Sequence, residues 1–168
     1  DSDESRGLGD VYKRQQIIAL QRNITTFCGC LADAQTPTIT FRNNGAIGGD
    51  VSFLDPEHVE LMTSSTIEEV QCLTPERLFD MTRIVHIDYF SLDVEGAELQ
   101  MLEVLFPLLS SGTLVVDIWT IEYRVIDNTQ RNVVEQSIKK LNSIRQFFHR
   151  LGGYQVWGVL EIEKEGKV

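Results

Sequence analysis

The sequence predicts an α/β domain with a small β-hairpin insertion, and three observations carry that reading. After residue 66, stretches that read as strands alternate with stretches whose apolar residues fall at helical spacing. Two of the strand-like stretches carry apolar residues on both faces, 87–93 (Ile87 and Tyr89, then Phe90 and Leu92) and 114–119 apart from Asp117, the pattern of buried parallel strands. Earlier, two short β segments flank a turn-rich stretch and stand outside that alternation. At 168 residues the chain has the length of one domain.

The elements follow in order. Residues 16–23 read as the tail of a helix and 26–31 as a short strand. Segments 38–41 and 50–54 form the hairpin around the turn-rich stretch 42–49. A loop over 55–65 leads to a strand at 66–73. Thr74 is a natural N-cap and Pro75 suits the first turn of a helix running to about Met81. Strand 87–93 ends in Asp93, turns through Val94-Glu95-Gly96, and opens a helix over 97–106 with Leu99, Leu102 and Leu105 on one side. Pro107 should stop that helix. Strand 114–122 comes next. A long helix then carries Val133, Val134, Ile138, Leu141, Ile144, Phe148 and Leu151 as its apolar stripe, and Gly152 ends it. A last strand is expected over 154–162. Tyr89 and Trp119 read as core, and Gly96 as the residue that permits a close strand-to-helix turn.

The net charge of −10 argues against non-specific binding to nucleic acid, which needs clustered Lys and Arg. No stretch approaches the ~18 apolar residues of a membrane span, and neither membrane association nor compartment can be read from the rest. The three cysteines, 28, 30 and 72, do not make a disulfide framework. They read as small buried thiols on a strand, with a redox or metal role as the alternative. His58, His86 and His149 are scattered and suit surface or polar core positions.

Three carboxylates, Asp93, Glu95 and Glu98, gather where a strand hands over to a helix, the place where open α/β sheets bind ligands. A charge closing a buried strand must be solvated, paired or ligand-bound. Asp93 is therefore a candidate catalytic or cofactor-contacting residue, or else a cap for the following helix. Glu95 and Glu98 can answer the positive end of the helix dipole, Glu98 more readily than Glu95. Glu122 ends the neighbouring strand, and parallel strands in register would bring it beside Asp93. It is either a second functional carboxylate or a solvated strand end.

The stretch Ser91-Leu-Asp93-Val-Glu95-Gly96-Ala-Glu98 resembles the hallmark of the FkbM-type methyltransferases, which use S-adenosylmethionine (SAM). Val70-Gln-Cys72-Leu, Trp119-Thr-Ile-Glu122-Tyr and Leu151-Gly-Gly-Tyr154 resemble further family segments in the same order, so the likeness spans roughly 16–160. It implies a Rossmann-like class I methyltransferase sheet in which strand 87–93 is central. It also implies that Asp93, Glu95 and Glu122 serve the reaction, and that Leu31 and Asp93 border the cofactor, Leu31 on the adenine side.

The family's first strand, glycine-rich turn and acidic second strand have no counterpart here, so residues 16–168 read as a partial, truncated domain. Gly9-Asp-Val-Tyr-Lys-Arg-Gln15 resembles translated adapter sequence, which marks 1–15 as a non-native segment. A chain of that kind should bind SAM poorly, and its unpaired strand edge should favour self-association.

The implied reaction is O-methylation of a hydroxyl on a small molecule or sugar. An alcohol needs a base to take its proton, and a strand-tip carboxylate can do so. The same carboxylates could hold a divalent cation through oxygen. The alternative from another class is a methyltransferase-like domain that binds a partner or lipid, in binding or trafficking, without chemistry.

Overall fold

The computed structural model describes residues 27, 29–43, 48–54, 65–94, 96–125 and 133–159. The segment 1–15, the helix tail at 16–23, Glu95 and nearly all of the 55–65 loop lie outside these residues. The architecture is mixed α/β. Strands β1 (Cys30–Leu31), β2 (Thr38–Asn43), β3 (Gly49–Asp50) and β4 (Thr66–Leu73) form one sheet in the order β1-β4-β2-β3. Helix α1 (Pro75–Thr82) follows, then β5 (His86–Leu92), α2 (Glu98–Ser110), β6 (Val115–Ile121) and α3 (Val133–Leu151). Strands β5 and β6 make a second, parallel sheet.

The expected hairpin is present: β2 pairs antiparallel with β3 and, on its other edge, with β4 from Thr38–Gln71 to Asn43–Thr66. β1 joins β4 in parallel, with Cys30 opposite Cys72. Those two cysteines are bonded as a disulfide, their Cα atoms 4.4 Å apart. This corrects the expectation of unpaired thiols. Strand register, invisible across a separation of 42 positions, places them face to face.

Helix α1 starts as expected, with Thr74 Oγ1 accepting from the Arg77 N–H at 3.3 Å and Pro75 buried in the first turn. Helix α2 departs from expectation by running through Pro107 to Ser110. Proline removes one helical donor, but the turn it would have ended carries Leu108 and Leu109, both buried in the core. Their burial, at about 1.5–3 kcal/mol per side chain, outweighs the missing bond.

The core lies between the β5–β6 sheet and α2 and α3, built from Leu92, Leu102, Leu105, Leu114, Val116, Ile144 and Phe147. Trp119 packs against it, stacked on Phe90 and edge-on to Phe148. Tyr89 does not: it is 55% exposed beside Ile118 at 59%, and its hydroxyl lies 2.6 Å from Thr120 Oγ1. Around Tyr89 and Ile118 the two strands are thus left uncovered by the described residues.

Helix α3 keeps Ile144, Phe148 and Leu151 of its expected stripe at the core but turns the N-terminal part of that stripe outward. Ser137, Ile144 and Phe147 are its buried residues, while Val134 and Ile138 are 57% and 49% exposed. Gly152, with φ 77°, ends it as expected. The segment 154–159 is irregular, so the last strand expected from Tyr154 does not form over those residues. Instead Tyr154 packs edge-on against Phe148 and donates its hydroxyl to the Val116 carbonyl at 2.7 Å.

Candidate functional site

Parallel pairing brings the ends of β5 and β6 together. Leu92 stands opposite Ile121, and the Glu122 N–H donates to the Leu92 carbonyl at 3.0 Å. Asp93 and Glu122 therefore leave the same edge of the sheet, side by side. Glu98, at the first position of α2, completes the group: one carboxylate oxygen from each of the three lies within 4.8 Å of the others. Asp93 is exposed, Glu122 half-buried and Glu98 fully buried.

Burial separates their roles. Glu98 Oε1 accepts from the Val94 N–H at 3.0 Å and the Gly96 N–H at 3.3 Å. The carboxylate thus folds back from the helix and braces the turn that carries Asp93. It replaces the side-chain cap that Ala97 cannot offer. Its Oε2 is held by charge, with Lys140 Nζ of α3 at 2.5 Å and no directed hydrogen bond besides. Burial pushes the Glu98 carboxyl up, but Lys140 and the backbone N–H groups of Val94 and Glu98 itself pull it further down. The net result lies below the ordinary glutamate value. Glu98 is thus an ionised floor beneath Asp93 and Glu122.

The turn needs its glycine twice over. Gly96 has φ 106°, and a Cβ built on it would stand 3.0 Å from the Phe53 carbonyl oxygen, just past β3. Gly96→Ala should cost about 1–3 kcal/mol of stability, read as a lower denaturant midpoint with unchanged slope. An unchanged midpoint would mean that the turn rearranges freely.

Helix α3 contributes a second polar group that the apolar pattern hides. Ser137 is fully buried and its Oγ accepts from the Val125 N–H at 3.0 Å, fixing the chain just beyond Glu122. The inward face of α3 thus reads Ser137, Lys140, Ile144, Phe147, Leu151, and its two polar members tie the helix to the chain beyond β6 and to the start of α2.

A profile described as "Methyltransferase FkbM domain" matches residues 14–156. The chain belongs to the FkbM methyltransferase family. Comparison with curated proteins and with solved structures yields no match. Within the FkbM domain, the carboxylate group sits on the stretch that carries the family resemblance. Of the residues singled out from sequence, Asp93 and Glu122 come together, joined by Glu98, which had been assigned to the helix dipole. Glu95 lies outside the described residues. Leu31 ends β1 in the other sheet, half-buried and paired with Leu73, and takes no part in the carboxylate group.

A second cluster occupies the opposite end of the same strands. His86 Nε2 lies 3.0 Å from Asp117 Oδ1, with Asp88 adjacent. The hydrogen bond to Asp117, then its charge, raises the His86 pKa above 6.5. That contribution is present below pH 6.5 and fades as pH rises through the raised value. All three residues are exposed, so it is a solvated ion pair.

Proposed function

We propose that this domain transfers a methyl group from SAM to a hydroxyl of a small molecule or glycan, with Asp93 as the general base. The supporting observation is the side-by-side placement of Asp93 and Glu122 at the carboxyl ends of paired parallel strands, on a turn braced by a buried, ionised Glu98. The donor set suits the cofactor's cationic centre, since two adjacent carboxylates would stabilise a positive sulfur. When bound, SAM supplies an activated methyl on that sulfur. Asp93, exposed and at the strand tip, is placed to take the acceptor's proton as its oxygen gains the methyl. Glu122 would orient the hydroxyl or balance the cation's charge. Leu31 is assigned to the adenine side by family likeness alone. We extend the proposal to a Rossmann-like sheet and to self-association through the edge of β5, which among the described residues pairs with β6 alone. Concentration-dependent sedimentation reads the latter.

The experiment is methyl transfer by the full-length protein from isotopically labelled SAM to a panel of sugars and hydroxylated small molecules. Label in an ether linkage, lost when the acceptor hydroxyl is blocked, supports the proposal. SAM binding without transfer to any hydroxyl would favour a binding domain and overturn it.

A further inference from the structure

We propose that the Cys30–Cys72 bond is a redox-reversible staple that holds together the two segments forming one wall of a surface cavity. The cavity, of about 480 Å³, is lined by Asp33, Thr74 and Glu76 on one side and by Gln100, Val104 and Pro107 of α2 on the other. Asp33 follows Cys30 closely along the chain, and Thr74 and Glu76 follow Cys72. The covalent bond therefore spans the seam between the segments that shape the near wall.

Each segment is stiff within itself. Asp33 Oδ1 accepts from the Gln35 N–H at 3.0 Å and from Thr36 Oγ1 at 2.9 Å, and the Thr36 N–H returns to the Asp33 carbonyl at 3.1 Å. Thr74 and Pro75 fix the start of α1 in the same way. Backbone bonds tie the two segments at either end of the Asp33 turn: Ala32 N–H to the Leu73 carbonyl at 3.0 Å on the β1 side, and Cys72 N–H to the Pro37 carbonyl at 2.9 Å where β2 begins its pairing with β4. On the β1 side the pairing is two residues long. So short a pairing is marginal without a cross-link. The bond closes a loop across 42 positions, long enough for its removal to release substantial chain entropy.

Both cysteines are half-buried, within reach of a small dithiol. A thiolate of the dithiol attacks one sulfur and the Cys30–Cys72 bond breaks, leaving a mixed disulfide. The dithiol's second sulfur then displaces the cysteine. Two electrons and two protons pass to Cys30 and Cys72, which become thiols, and the reductant departs as its own disulfide. Oxidation by an external disulfide runs the sequence backwards.

The test uses the protein prepared under oxidising conditions. Iodoacetamide without reductant should label Cys28 alone, and digestion should release a linked Cys30–Cys72 peptide. Dithiothreitol should then speed amide hydrogen exchange at residues 32–36 and 74–78 by about tenfold or more, with β5, β6 and α2 unchanged. Cys72→Ser should exchange at the faster rate with or without reductant. Three alkylatable thiols, exchange indifferent to dithiothreitol, or acceleration spread evenly over the chain would each overturn the proposal.

Discussion

Replacing Glu98 with Ala should unfold much of the domain's stability margin, by about 3–5 kcal/mol, because one side chain serves three partners. Its removal strands the Val94 and Gly96 N–H groups and leaves the Lys140 ammonium, only 10% exposed, without its counter-charge. Glu98→Gln keeps the shape and an acceptor oxygen, so it should cost less. Lys140→Met in the Glu98→Gln background should recover part of the loss, since two neutral groups replace a broken ion pair.

The pH dependence follows from the direction of the Glu98 shift. A carboxyl held below its unfolded value contributes stability that is present above that value and lost as pH falls through the folded one. Wild-type stability should therefore decline below about pH 4.5 more steeply than that of Glu98→Gln. Urea midpoints from pH 3 to 7 provide the measurement. A Glu98→Ala cost below about 1 kcal/mol, or parallel pH profiles, would show that the ion pair is incidental.

The second large effect is chemical. Asp93→Asn keeps size and packing but removes the proton acceptor, so turnover in the full-length protein should fall by about 10²–10⁴-fold. Asp93 is exposed and its removal uncovers no buried donor, so the thermal midpoint should stay within a few degrees of wild type. Raising the assay pH should partly rescue the variant, because a larger fraction of the acceptor hydroxyl is then already deprotonated. Turnover within a few-fold of wild type would reduce Asp93 to a structural role.

Much of this was legible in the residues themselves. The Asp93–Gly96 turn, the hairpin, the Thr74 cap and the pairing that unites Asp93 with Glu122 all follow from local chemistry and strand periodicity. What stayed hidden depended on burial or on register. A glutamate answering a helix dipole and a glutamate buried under a turn have the same letter and the same position, so Glu98 could be placed but not weighed. Ser137 and Lys140 broke the apolar stripe of α3 and shifted its apparent face toward Val134 and Ile138, and Phe147 was lost with it. Pro107 read as a stop because local propensity speaks before Leu108 and Leu109 find the core. Cys30 and Cys72 are matched only by how β1 lies along β4.

The contact between Gly96 and Phe53 joins parts of the chain with different freedom to change. Phe53 lies at the exit of a surface hairpin, where insertions and deletions are usually tolerated. Gly96 lies in a turn with no room to recoil. A hairpin one residue longer or shorter would move the Phe53 carbonyl, and the displacement would arrive at the strand tip that carries Asp93. The hairpin is then a tuning lever: lineages of this domain could reshape what rests above the carboxylates by editing a loop, leaving the sheet that builds them untouched.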